Sequence, residues 1–111
     1  SRATRLALTY IGNFPSEYRD RAPAAEAAAD ILRLCALKDD VDRGVRIFRT
    51  EGLEAHQLRL KTYRRGGLMA LSEVVPVLEN FGLRVLKEIP STLDGGAGYI
   101  HDFTVELGPE A

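Results

Sequence analysis

Two short runs of residues alternate apolar and polar side chains, and this alternation constrains the fold more than any other feature of the chain. Residues 45–49 have the sequence Val-Arg-Ile-Phe-Arg, and residues 58–63 have the sequence Leu-Arg-Leu-Lys-Thr-Tyr. A period of two places alternate side chains on opposite faces of a strand. Because a polar loop separates the runs, they predict an antiparallel hairpin.

Residues 23–37 have the helical spacing of apolar side chains, with Pro23 suited to the first turn. Glu26, Asp30 and Arg33 are predicted on the opposite, polar face of this helix. A second helix is predicted to begin at the cap Ser72, to place Phe81 on its apolar face and to end at Gly82.

Residues 83–89 and 99–107 favour two more strands, joined by a glycine-rich loop over residues 90–98. Residues 14–21 are predicted as a polar turn. These elements predict an α+β domain, a four-stranded antiparallel sheet with helices on one face, ferredoxin-like and open to a permuted strand order. Residues 1–13 are predicted as the end of a preceding helix and residues 14–111 as a single domain.

Composition excludes several functional classes. The 111 residues carry 15 Lys and Arg against 16 Asp and Glu, and the net charge of −1 argues against nucleic-acid binding. No apolar run approaches the roughly 18 residues that predict a membrane span. The lone Cys35 allows neither an intrachain disulfide nor a Cys-x-x-Cys motif, which favours a cytoplasmic location.

If Val45, Ile47, Leu58, Leu60, Leu83 and Val85 face the helices, four other apolar side chains face away from them: Phe48, Tyr63, Leu86 and Ile100. Apolar groups on an outer sheet face indicate a surface covered by another domain or subunit. Scattered surface hydrophobic residues are the alternative.

The turn Arg64-Arg65-Gly66 is the best local candidate for a ligand or partner contact, because guanidinium groups and exposed backbone N–H groups bind anions. A solvated connection is the alternative. His101 and Asp102 are adjacent in a predicted strand, so they point to opposite faces and form no catalytic dyad. We therefore predict no catalytic residue and no metal site.

Residues 71–88, followed by Tyr-Ile-His-Asp-Phe at 99–103, resemble part of the very large bacterial NAD-specific glutamate dehydrogenases, and residues 14–18 and 27–34 extend the resemblance upstream. It implies that residues 14–111 form one ACT-like domain in the regulatory part of such an enzyme. The family's reaction converts L-glutamate, NAD and water to 2-oxoglutarate, ammonia and NADH.

The resemblance implies a non-catalytic structural or regulatory domain, because the sequence lacks the glycine-rich dinucleotide motif. NAD would bind in the catalytic domain of the parent enzyme, and this fragment would hold no cofactor. Its partners would be other domains or subunits of that enzyme. The alternative function is an allosteric sensor that binds an amino-acid effector.

Overall fold

A computed structural model describes residues 14–67, 71–93 and 98–108. The predicted helix end at residues 1–13 therefore lies outside the described residues. In chain order the elements are α1 (Ser16–Arg21), α2 (Ala24–Ala36), β1 (Gly44–Phe48), β2 (Gln57–Arg64), α3 (Leu71–Asn80), β3 (Leu83–Leu93) and β4 (Gly98–Leu107).

The four strands form one antiparallel sheet in the order β1-β2-β4-β3. The predicted hairpin of β1 and β2 and the predicted α+β class are confirmed. From α2 onward the chain order is helix, two strands, helix, two strands, which is a circular permutation of the β-α-β-β-α-β order of ferredoxin-like domains.

The prediction that the helices share one face of the sheet is wrong. Helix α2 packs on the face that carries Tyr63 and Ile100, whereas α3 packs through Val74 on the face that carries Leu60. Residues 60 and 63 of an unbroken strand point to opposite faces. The basic side chains of β2 provide the physical reason, because they attract the carboxylates of α2 to their own face.

Each face of the sheet has its own apolar core. On the α2 side the buried side chains are Phe14, Tyr18, Ile31, Leu34, Leu37, Tyr63, Leu93 and Ile100. On the α3 side they are Leu60, Val74, Leu78, Phe103 and Val105. The side chain of Cys35 is partly buried and packs against the first core.

Three local predictions are wrong: the turn at residues 14–21, the start of the loop over residues 90–98, and the packing of Phe81. Residues 16–21 are helical rather than a turn, since burial of Tyr18 in the core stabilises a short helix. Residues 90–93 belong to β3 rather than to a loop; Pro90 is tolerated because β3 is an edge strand. Phe81 is 72% exposed rather than packed.

Helix α3 begins at Leu71, one residue before the predicted cap Ser72. Its predicted end is confirmed: Gly82 has a φ of +81° and its N–H donates to the carbonyl of Glu79. A left-handed residue at this position ends a helix at low cost only when it is glycine.

Candidate functional site

Six charged residues meet between α2 and the sheet, and we call them the charge cluster: Glu26 and Asp30 from α2, Arg46 from β1, Arg59 and Lys61 from β2, and Asp102 from β4. The cross-strand register brings them together, because Lys61 lies between Arg46 on β1 and Asp102 on β4. Three carboxylates thus face three cations, and the cluster is electrically balanced.

Asp30 is the centre of the cluster and is fully buried. Its carboxylate accepts from Lys61 Nζ at 2.6 Å, from Tyr63 Oη at 2.5 Å, from Arg46 Nη2 at 3.2 Å and from the Tyr18 hydroxyl. Burial next to Asp30 raises the pKa of both Tyr18 and Tyr63, so both phenols keep their protons and donate.

Arg59 joins two carboxylates from different elements. Its Nη1 lies 2.7 Å from Glu26 Oε1, and its Nη2 also pairs with Asp102. Burial favours the neutral form of Glu26, but hydrogen bonds from Arg59 and Lys61 outweigh this effect and lower its pKa. Burial raises the pKa of Asp102, and attraction to Arg59 and Lys61 offsets only part of that shift.

The ring of Phe48, a residue predicted on the interdomain face, lies over the cations of the cluster. The Arg46 guanidinium carbon is 3.9 Å from the ring centroid, and that of Arg59 is 4.8 Å away. Cation–π attraction of this kind is stronger where water is excluded. Phe48 therefore shields the charges at the β1 edge of the cluster.

An open cleft of about 220 Å³ borders the cluster on its β3 side. Arg59 and Lys87 provide positive groups, and Glu26 and Asp102 provide negative groups. Thr104 and Ile89 complete the lining. The cleft thus presents both signs of charge within a small volume.

The other three residues predicted on the interdomain face differ in their exposure to solvent. Tyr63 and Ile100 are buried against α2, within this chain. Leu86 lies at an irregularity in the pairing of β3 with β4, between Val85 and Lys87, and is partly exposed. Their role toward another domain or subunit stays a prediction.

The turn Arg64-Arg65-Gly66 makes contacts inside the chain. Arg65 donates to the carbonyl of Leu37, and the N–H of Gly66 donates to the carbonyl of Asp40 at 3.2 Å. A Cβ at Gly66 would lie 2.5 Å from that carbonyl oxygen, so the turn packs closely against the loop after α2. Nε of both arginines is buried with no hydrogen-bond partner in the described structure. A ligand at this turn stays a prediction.

The two histidines pair with carboxylates in separate places. His101 is buried, pairs with Glu88 and lies against the ring of Phe103, while Asp102 points to the other face. His56 lies 3.2 Å from Glu106 near the surface. Within residues 14–67, 71–93 and 98–108, no three His, Cys, Asp or Glu side chains are grouped to hold a metal ion.

Two family models together cover almost the whole chain. Residues 42–111 match the model described as glutamate dehydrogenase, ACT3 domain, and residues 1–37 match glutamate dehydrogenase, helical motif 2. The chain belongs to the glutamate dehydrogenase family. The resemblance found in the sequence is thereby confirmed.

Curated relatives of this glutamate dehydrogenase segment are NAD-specific glutamate dehydrogenases. The protein from Pseudomonas aeruginosa is 33% identical over 106 residues, which cover 93% of the chain. The protein from Halomonas elongata is 35% identical over 95 residues, or 84% of the chain, and the protein from Mycobacterium tuberculosis is 28% identical over 106 residues. The chain spans about 6% of the length of these relatives.

The two matched segments of the glutamate dehydrogenase family meet at the charge cluster. Glu26 and Asp30 belong to the helical-motif segment, and the cluster's other four residues belong to the ACT3 segment. The division falls between residues 37 and 42, inside the range 14–111 predicted as a single domain, and that domain boundary stays a prediction. Among the described helices, none is long and apolar enough to cross a membrane.

The prediction that Glu26 and Asp30 lie on the polar face of their helix, opposite the core, is wrong. The overlooked signal was the spacing of four residues between the two acids, which puts them on one side of a helix. A matching row of basic residues, Arg59 and Lys61, occupies alternate positions of β2. Complementary rows on two elements indicate an ionic interface rather than two solvated faces.

Proposed function

We propose that this chain is a non-catalytic regulatory and structural domain of a larger NAD-dependent glutamate dehydrogenase, located in the cytoplasm. The parent enzyme would oxidise L-glutamate to 2-oxoglutarate and ammonia with reduction of NAD. NAD would bind elsewhere in that enzyme, because in the described part of this chain every pair of neighbouring strands is antiparallel, unlike a dinucleotide-binding fold.

The charge cluster is the observation that carries this proposal. Asp30 and Lys61 are fully buried, and every acid of the cluster pairs with a cation from another element. Removing one partner of a buried pair leaves an uncompensated charge, which typically costs about 3–5 kcal/mol. The helical motif and the ACT3 sheet can therefore move relative to each other only if several ion pairs separate together.

An interface of this kind suits a regulatory domain because it has one well-defined arrangement. Apolar side chains can slide past one another at low cost, whereas charged groups must find new partners in a dry environment. A signal that shifts α2 against the sheet would have to supply a differential binding energy for two distinct states. The ion pairs of the cluster would then couple a shift of α2 to the sheet and so to neighbouring parts of the enzyme.

The test uses the full-length glutamate dehydrogenase that contains this chain, with Asp30→Asn and, as a matched surface control, Glu106→Gln. We expect Asp30→Asn to shift the thermal inactivation midpoint or the subunit assembly measured by light scattering. Glutamate oxidation by the assembled fraction should keep its kcat within about twofold. Loss of kcat in a correctly assembled and stable enzyme would contradict a non-catalytic role. An unchanged thermal inactivation midpoint together with unchanged subunit assembly would contradict a structural and regulatory role.

A second candidate function is the sensing of an amino acid in the cleft beside the cluster. Its carboxylate would face Lys87 and Arg59, and its ammonium group would face Asp102 and Glu26, with Thr104 as a further hydrogen-bonding group. The specific observation in its favour is that both signs of charge border one cleft of about 220 Å³.

Thermal unfolding of the chain across a panel of amino acids tests this sensor. A ligand at 100 times its Kd should add about 2.7 kcal/mol to the free energy of unfolding. We expect stabilisation by an amino acid but not by the matching 2-oxo acid or amine, and loss of the effect in Lys87→Met. Arg84→Met, on the same strand outside the cleft, is the control. Stabilisation that survives Lys87→Met would contradict this site.

A further inference from the structure

The two faces of the sheet are covered unequally. Four strands about 4.8 Å apart form a sheet roughly 19 Å wide, and a helix with its side chains is about 10 Å across. Two helices are therefore needed to cover one face. In the described structure α3 alone lies on its face, packed over β3, β4 and the middle of β2.

Within the described residues, β1 is the strand that no helix covers on this face. Val45 and Ile47 point to the α3 side, yet Val45 is 50% exposed and Ile47 is 58% exposed. Val77, on the side of α3 that faces β1, is 52% exposed. Three aliphatic side chains from two elements thus border one open region, and contiguous exposed apolar groups of this kind mark an interaction site, unlike apolar residues scattered singly.

A groove of about 230 Å³ lies between α3 and β1 in this region. Its floor and walls are mainly aliphatic and come from Val45, Leu60, Val74, Val77 and Leu78. Two arginines, Arg43 and Arg64, also line the groove. Nε of Arg64 is buried without a hydrogen-bond partner in the described structure.

We propose that this groove is the docking site of an amphipathic helix from another part of the same glutamate dehydrogenase polypeptide. The uncovered width comprises β1 and the adjoining part of β2, which is close to one helix diameter. The aliphatic lining calls for a narrow apolar stripe on the incoming helix, and the two arginines call for acidic residues beside that stripe. The curated relatives are long enough to supply it, since this chain spans about 6% of their length.

The proposal rests on membership of the larger enzyme and not on a regulatory role. The helix would complete the second position of a two-helix layer, the layer that the sequence predicted on one face. Helix α2 does not fill that position, because its carboxylates are bound to the basic side chains of the opposite face.

Photo-cross-linking in the full-length enzyme tests the proposal. Ile47 and Val77 are replaced, in separate variants, by the photoreactive residue p-benzoylphenylalanine. Leu32 is the matched control position, because it is 50% exposed but lies on α2 at the opposite face. Cross-linked peptides are identified by mass spectrometry after thermal unfolding midpoints, measured by calorimetry, have shown that the variants are folded.

We expect Ile47 and Val77 to capture the same segment, from outside residues 1–111, with apolar residues at helical spacing and acidic residues beside them. Arg43→Glu should reduce the yield at least about fivefold, because it places like charges together. Capture of the same groove of a second copy, capture of a segment without helical spacing, or a yield no higher than at Leu32 would overturn the proposal. These readouts do not involve activity, so failure here is distinguishable from failure of the proposed function.

Discussion

Asp30 is the residue with the most partners in the charge cluster. Its two oxygens accept from two phenols, one ammonium and one guanidinium, and water does not reach it. A buried carboxylate is tolerated only when such donors replace its hydration. Substitutions at this position therefore act on all four partners and not on one contact.

At Asp30 and Lys61 we predict strong non-additivity. Each single variant, Asp30→Asn or Lys61→Met, should lower the free energy of unfolding by about 3–5 kcal/mol, because it removes the fully buried ion pair between the two residues and leaves the remaining charge with fewer partners. The double variant should lose clearly less than the sum of the two. Urea denaturation of the four proteins measures the coupling.

The surface pair of the exposed Arg84 and the partly exposed Glu106, 3.7 Å apart, is the control for this cycle. Removal of that pair should change stability by less than about 1 kcal/mol, because water screens it. Additive losses at Asp30 and Lys61 would mean that the two side chains do not stabilise each other.

Gly98 is a second residue whose identity the packing determines. It has a φ of +149°, and a Cβ there would lie 2.7 Å from Leu34 Cδ2 and 3.2 Å from the Arg64 carbonyl oxygen. Gly98→Ala should therefore cost about 1–3 kcal/mol beyond the backbone strain. Gly67→Ala is the matched control, since Gly67 has a φ of +144° and a Cβ added there would meet no atom within 4 Å. Equal losses of unfolding free energy in the two variants would show that contact with α2 is unimportant.

Helix α2 is the element whose placement depends most on charge. Its apolar residues reach the core around Tyr63, but Glu26 and Asp30 fix which face of the sheet it occupies. Its position should accordingly respond to the protonation of Glu26. The position of β3 at the edge of the sheet has a different cause: Pro90 has no N–H to donate, and an edge strand accommodates this.

Acid should weaken the docking of α2 through Glu26. Its pKa is lowered in the folded chain, so its stabilisation is present above the unfolded pKa and is lost as the pH falls through the folded pKa. Circular dichroism with urea, from about pH 6 to about pH 3, should show a smaller loss of stability in Glu26→Gln than in the wild type.

Asp102 should act in the opposite direction. Its raised pKa gives stability that is present below the unfolded pKa and is lost as the pH rises through the folded pKa. Asp102→Asn should therefore make the acid-induced loss of stability steeper than in the wild type. Parallel pH profiles for Glu26→Gln, Asp102→Asn and the wild type would rule out a part for these two acids.

At the scale of the whole molecule, the two family segments share one core and one charge cluster. Phe14, Tyr18, Ile31 and Leu34 of the helical-motif segment pack on Tyr63 and its neighbours in the ACT3 segment. Without the first segment, buried charges and apolar side chains of the sheet would be exposed together. Such a surface is unfavourable for an isolated domain.

Residues 42–111 produced alone should therefore be much less stable than the whole chain or should aggregate. Addition of a peptide covering residues 14–37 should restore cooperative thermal unfolding, and the same peptide with Asp30→Asn should restore it poorly. Calorimetry measures both effects. An ACT3 segment that unfolds at the same temperature with and without the peptide would show that the two segments fold independently.

The sequence by itself determined the local elements, because hydrophobic period and turn chemistry are properties of neighbouring residues. It predicted the hairpin of β1 and β2, the helix α2 and the glycine end of α3. It also determined the family, since long ordered similarity is carried by the residues themselves.

Only the tertiary structure decided which face of the sheet each helix covers and which charges meet. Period alone does not distinguish an acidic row that faces water from one that faces Arg59 and Lys61, because the answer depends on residues more than 30 positions away. The charge cluster and the uncovered groove beside β1 both follow from that long-range choice. Helix α2 packs on the face where basic side chains neutralise its buried carboxylates, and in the described structure α3 alone covers the other face.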